Sequence, residues 1–166
     1  MSNSVPEQQS GAPLQQVKVL GQFIRDLSFE NFLLQRGERN HKPAEFHVNV
    51  NLDGKHLKDG VHEALIRLQL TSSEKETDQS IYYLELEFSG LFLFEGIPDN
   101  HLQQLLMVEC PRVLFPFVRR IVHDVTRDGG FPPFNLEMID FARMFQAALE
   151  ERAKTEEKEG KDKKKL

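Results

Sequence analysis

A chain of 166 residues with 39% apolar and 28% charged side chains has material for one compact domain and the composition of an ordinary globular protein. Its formal net charge of -5 argues against a general nucleic-acid binder, because phosphate recognition needs clustered Lys and Arg. A single cysteine, Cys110, excludes an internal disulfide, and the first residues lack the basic-then-apolar pattern of a secretory signal, so a cytoplasmic setting is expected.

Residues 1–16 are rich in Ser, Gln, Pro and Gly with little to bury, which predicts a disordered leader. Over residues 17–30, Val17, Val19, Phe23, Leu27 and Phe29 share one parity against Lys18, Gln22, Asp26, Ser28 and Glu30, the period of a half-buried strand; Gly21 suits a bulge. Phe46, Val48, Val50 and Leu52 alternate with His47, Asn49, Asn51 and Asp53, predicting a second strand that ends in an Asp53-Gly54 turn. A third strand carries Ala64, Ile66, Leu68 and Leu70 on one face, with Val61 and Leu65 as apolar exceptions on the other, before a polar turn over residues 72–79. The fourth, over residues 80–94, sets Tyr82, Leu84, Leu86 and Phe88 against Tyr83, Glu85 and Glu87. Past Gly90, Leu91, Phe92, Leu93 and Phe94 are apolar on both parities, which predicts cover on both sides.

Beyond Pro98 the period becomes helical, through Leu102, Leu105, Leu106, Leu114, Val118, Ile121 and Val125, with Asp99 or Asn100 as cap. The dense apolar stretch over residues 114–122 is interrupted by Pro116, Arg119 and Arg120 and is far too short to cross a bilayer, which needs about 20 apolar residues. Pro111 and Pro116 predict a kink or break, and Gly129-Gly130 an end. Phe131-Pro132-Pro133-Phe134 reads as a stiff connector carrying two aromatics, and Asp140 as the cap of a last helix with Phe141, Met144, Phe145, Ala148 and Leu149 on its stripe. That helix is expected to dissolve into a mobile, charge-mixed tail over residues 154–166, leaving residues 17–153 as the folded domain. Four strands followed by helices give an α+β fold, an antiparallel sheet covered on one side.

Chemistry is sparse. Neither a phosphate-binding glycine loop nor Cys or His pairs at ligand spacing occur, so no cofactor, metal or catalytic set is expected. His41, His47, His56 and His62 read as solvated imidazoles on polar faces and turns. A Cys110 thiolate served by His123 would need groups more than three helical turns apart, so Cys110 reads as a small buried hydrophobe. Asp26, Glu30, Glu85 and Glu87 compose either a functional negative face or a solubilising surface. The 13 Phe residues serve core packing, with several available to a binding groove.

The run Cys110-Pro111-Arg112-Val113-Leu114-Phe115-Pro116-Phe117, followed by Gly130-Phe131-Pro132-Pro133-Phe134-Asn135-Leu136, resembles the helix and crossover-loop signature of the SecB family. Arg25-Asp26-Leu27-Ser28-Phe29-Glu30 is similar to that family's first strand. The resemblance implies a homotetramer, a dimer of dimers with long helices sandwiched between sheet pairs. It also implies an ATP-independent, non-enzymatic chaperone that holds unfolded precursor polypeptides and delivers them to the translocation ATPase SecA, without nucleic acid or membrane insertion. Carried over, the client groove comprises Phe46, Val48, Val50, Tyr82, Leu84, Leu86, Phe88, Phe131 and Phe134, and the SecA-docking face Asp26, Glu30, Tyr83 and Glu85. The competing readings are a hotdog-like acyl-thioester enzyme and a plain oligomeric scaffold.

Overall fold

The computed structural model describes residues 16–163, with side-chain environments through Glu156. The expected leader therefore lies outside the described residues except for Gln16, where the first strand begins. The elements are β1 (Gln16–Asn31), α1 (Phe32–Gln35), β2 (Ala44–His56), β3 (Val61–Glu74), β4 (Ser80–Glu95), α2 (Asp99–Gln104), a π-helical turn (Leu105–Glu109), α3 (Cys110–Asp128) and α4 (Phe141–Lys163). The strands form one sheet in the order β1-β4-β3-β2, every neighbouring pair antiparallel.

Register assigns each side chain a face, because opposed residues in an antiparallel pair point the same way. Leu86 of β4 faces Leu68 of β3, and Leu68 faces Val50 of β2, so these share the side on which the helices lie. Ala64, Ile66, Leu68, Leu70, Leu84, Leu86 and Phe92 are completely buried there beneath Leu114, Val118 and Val122 of α3. On the opposite, open side Asp26 faces Glu87, Ser28 faces Glu85 and Glu30 faces Tyr83.

β1 departs from the half-buried strand expected of it. The register slips at Leu20, beside the Gly21 expected to mark a bulge, and again at Arg25. The two slips throw Phe23 onto the open side opposite Ser89, while Ile24 joins Val17, Val19, Leu27 and Phe29 on the helix side. Val17, Val19, Ile24 and Leu27 all remain exposed, because α3 lies chiefly over the two middle strands and only skirts this edge.

Other expectations move by a few residues. Gly54 is not in a turn: it pairs with Ala64 inside β2, and a side chain there would meet Leu106 Cδ2 at 2.6 Å, so its role is to let the π-helical turn lie close. The reversal comes later, where Asp59 (φ 53°) and Gly60 (φ 73°) adopt left-handed backbone. β3 runs on through Ser72, Ser73 and Glu74, all buried, so the polar turn shrinks to residues 75–79. The Thr77 hydroxyl donates to the Glu74 carboxylate at 2.6 Å and the Lys42 amide donates at 3.0 Å, and these bonds lower its pKa. α1 was not foreseen: four residues are too few to show a period, although the Asn31 side chain caps it by accepting from Leu34 N–H at 3.0 Å.

Of the two prolines expected to disturb the helical region, only Pro111 has a break from regular α geometry beside it; α3 runs on through Pro116. Pro111 would drive its ring into the carbonyl of the residue four back in a regular helix, and ahead of it the chain widens to a π turn in which Cys110 N–H bonds Leu105 O. Pro98, not Asp99 or Asn100, precedes α2, and Asp99 falls in its first turn. α3 ends at Asp128 before Gly129, as expected. Asp140 caps α4 through Oδ1, accepting from Arg143 N–H at 3.0 Å. α4 does not end near Lys154 but continues to Lys163.

Candidate functional site: an aromatic groove and an acidic sheet face

The groove is built at the edge where β2, the proline connector and α4 meet. Thr126, fully buried near the end of α3, turns the connector: its Oγ1 donates to Val122 O at 2.8 Å and accepts from Phe134 N–H at 2.9 Å. Phe131 N–H bonds Thr126 O at 3.1 Å. Pro132 and Pro133 have no amide hydrogen and need no partner. The two connector phenylalanines are thereby aimed at the sheet. Phe134 lies 5.1 Å from Phe46, and Phe131 lies 4.7 Å from Tyr82, ring centre to ring centre. Phe46 and Phe29 flank Tyr82 at 6.4 and 5.5 Å, and His41 closes the cluster 6.4 Å from Phe131. Such tilted pairs at this spacing stabilise a rigid aromatic floor.

Beyond Phe134 the groove widens to about 560 Å³, lined by Val48, Val50, Leu136, Met138, Ile139 and Met144 among others. Phe46 is 46% exposed and Val48 43%, although both lie on the side where the core is sealed. Burial raises the Tyr82 phenol to about 12, so it stays neutral.

Not every residue expected in the groove reaches it. Leu84 and Leu86 are fully buried and Phe88 nearly so, stacked on Phe117 of α3 at 6.2 Å. They belong to the core, because β4 is a middle strand under the helix. Tyr82, near the end of β4, is also buried and serves as floor. Sequence reasoning missed Met138 as a groove residue and did not link Met144, Ile139 and Leu136 to β2, since nothing local says that the connector folds back over that strand. Of the histidines expected to be solvated, His62 departs: it is only 7% exposed, stacked 4.7 Å from Phe94, with His56 edge-on at 4.8 Å.

The second surface is the open side of the sheet. Asp26, Glu30, Tyr83 and Glu85 do come together there through the β1–β4 register. The Tyr83 hydroxyl donates to Glu85 Oε2 at 3.0 Å; burial first, then this bond and the neighbouring carboxylates, raise its pKa. Glu87 is instead neutralised by Arg67 at 2.9 Å, with Arg25 at 3.9 Å. Among the described residues no ion pair engages Asp26, Glu30 or Glu85, so their charge projects outward. Farther along, Leu91 and Leu93 are half-buried on the open side while Phe92 and Phe94 are buried on the helix side.

Candidate nucleophilic chemistry fails on burial. Cys110 is 1% exposed, and burial with the adjacent Glu109 raises its thiol to about 12. No metal-binding group of three or more His, Cys, Asp or Glu occurs among the described residues, and no helix there is long and apolar enough to cross a membrane.

The family model of the preprotein translocase subunit SecB matches residues 8–152. The chain belongs to the SecB family. The protein-export protein SecB of Roseobacter denitrificans is 47% identical over 142 residues, 85% of this chain and 86% of that one. The SecB of Paracoccus denitrificans is 39% identical over 153 residues, 91% of this chain and 86% of that one. The fold matches a SecB-like chaperone of Mycobacterium tuberculosis, solved in complex with a peptide from an antitoxin, with a TM-score of 0.59 at 14% identity over 74% of this chain and 90% of that one. The function of the chain is accordingly that of a chaperone in protein export.

Proposed function

We propose that this SecB-family chain holds unfolded precursor polypeptides in the groove formed by Phe46, Val48, Val50, Phe131 and Phe134 over the Tyr82 floor, and does so without ATP. The observation that carries the reading is the near-half exposure of Phe46 and Val48 against a preformed aromatic wall. Apolar contact is non-directional and worth about 25 cal/mol per Å² buried, so a groove of this kind takes many sequences, and only unfolded chains offer them. Leu84, Leu86 and Phe88 act indirectly, by supporting the wall.

Delivery to SecA would use Asp26, Glu30, Tyr83 and Glu85, whose uncompensated carboxylates favour a basic partner and speed encounter. Assembly as a dimer of dimers is supported by the exposed Val17, Val19, Ile24 and Leu27 of β1 beside Val113 and Phe117 of α3, an apolar strip that a lone subunit leaves wet. The setting for this work is the cytoplasm. Several grooves acting on one long client add avidity, while each alone releases quickly.

The test is aggregation of a denatured client followed by light scattering. Stoichiometric suppression without nucleotide, lost in Phe46→Ala while the assembly keeps its native mass, supports the groove. A wild-type particle that ignores denatured protein at every ratio would mark an oligomeric scaffold.

A further inference from the structure

We propose that Met138 is an oxidation-sensitive modification site at the mouth of the groove, whose conversion to the sulfoxide by hydrogen peroxide weakens client binding. The inference rests on the groove reading above. Met138 is 78% exposed, the most exposed of the large apolar side chains among the described residues, yet it lines the same groove as Val48, Val50, Phe134 and Met144. A methionine so placed is an adaptable apolar contact for a client and at the same time, among the described residues, the sulfur most open to solvent oxidants. The other described sulfurs are shielded: Cys110 is 1% exposed, and Met107 and Met144 are half-buried.

A second contact gives the oxidised form a holder. Arg119 Nη1 lies 3.7 Å from Met138 Sδ, with its guanidinium 6.0 Å from the centre of the Phe115 ring. A thioether is a weak acceptor, whereas a sulfoxide oxygen is a strong one, so the same guanidinium would bind the product more firmly than the reactant. In the reaction a lone pair on Sδ attacks one peroxide oxygen. The S–O bond forms as the O–O bond breaks, sulfur loses two electrons to the peroxide, and the proton of the transferred oxygen leaves with the departing hydroxide as water. The groove mouth then carries a polar group pinned by Arg119 where a client needs an apolar one.

The experiment exposes the full-length assembled protein to graded hydrogen peroxide and measures two things. Peptide mapping by mass spectrometry follows oxygen addition at Met107, Met138 and Met144. Anisotropy of a dye-labelled, unstructured peptide rich in Phe and Leu follows groove affinity. Met138 should oxidise first, affinity should fall about fivefold to tenfold, methionine sulfoxide reductase should restore it, and Met138→Leu, whatever affinity it starts from, should keep that affinity through the same treatment. The proposal is overturned if Met107 or Met144 reacts ahead of Met138, or if Met138→Leu loses as much affinity as the wild type. A peptide that never binds the untreated protein sinks the groove reading itself, an outcome that the mapping arm keeps separate.

Discussion

The helix side of the sheet treats its centre and its edges differently. On β3 and β4, Leu68, Leu70, Leu84 and Leu86 are completely buried, whereas on β2 and β1, Phe46, Val48, Val17 and Ile24 stay about half exposed. The side chains are all apolar and, apart from the two slips in β1, alternate with the same period. What differs is reach: a helix about 10 Å across covers roughly two strands spaced about 4.8 Å apart, and a four-stranded sheet is wider than that. The uncovered margins are therefore apolar by the pattern of the strands and open by the geometry of the layer.

That contrast can be broken from the centre outward. Leu86→Ala removes a sealed side chain and should cost about 2–5 kcal/mol, seen as a large drop in the urea midpoint; a change below about 1 kcal/mol would mean that the centre is less tightly packed than described. Glu63→Gln comes next. This carboxylate is 7% exposed on the open side, held by Ser89 Oγ at 2.7 Å, Arg25 at 3.0 Å and Lys55 at 3.0 Å. Burial alone would raise its pKa, but the Ser89 and Lys55 bonds and the two cations outweigh it and hold it below the ordinary 4.5. Its stabilisation is thus present above that value and lost as pH falls through the lower folded value. The glutamine variant should lose about 1.5–3 kcal/mol at neutral pH and show a flatter acid limb in pH-dependent melting.

At the edge the effect should shift from stability to binding. Phe46→Ala is expected to weaken binding of a client peptide about tenfold while the unfolding free energy from urea titration stays within about 1 kcal/mol of wild type, since the ring is already half in water. A large loss of stability with unchanged binding would make β2 another piece of core. The smallest change belongs to Tyr83→Phe, which removes one half-exposed hydrogen bond to Glu85 and should alter stability by about 0.5–1 kcal/mol. Its binding of a basic peptide should remain as salt-sensitive as that of the wild type, because Asp26, Glu30 and Glu85 keep their charge.

Much of this was readable in the residues themselves. Strand parity in β2, β3 and β4 named the helix-side face correctly, and Gly129-Gly130 with the two prolines marked where α3 stops and the Phe131–Phe134 connector begins; the Thr126 bonds that turn the connector had no such signal. The acidic parity of β1 and β4 likewise placed Asp26, Glu30 and Glu85 together before any register was known. Other features had little or no local signal. Gly21 signalled the first slip of β1, which sends Phe23 to the open side, but the second, at Arg25, depends on pairing with β4, and the strand position of Gly54 depends on Leu106 lying against it.

By itself, then, the order of apolar and polar residues determined the four strands, the helices after them and the faces of β2, β3 and β4, because those follow from the periods of strand and helix. Only tertiary structure decided which apolar residues are core and which remain available. That choice turns on strand order and on how far one helix can reach, and it separates Leu86, which supports the groove, from Phe46, which opens into it.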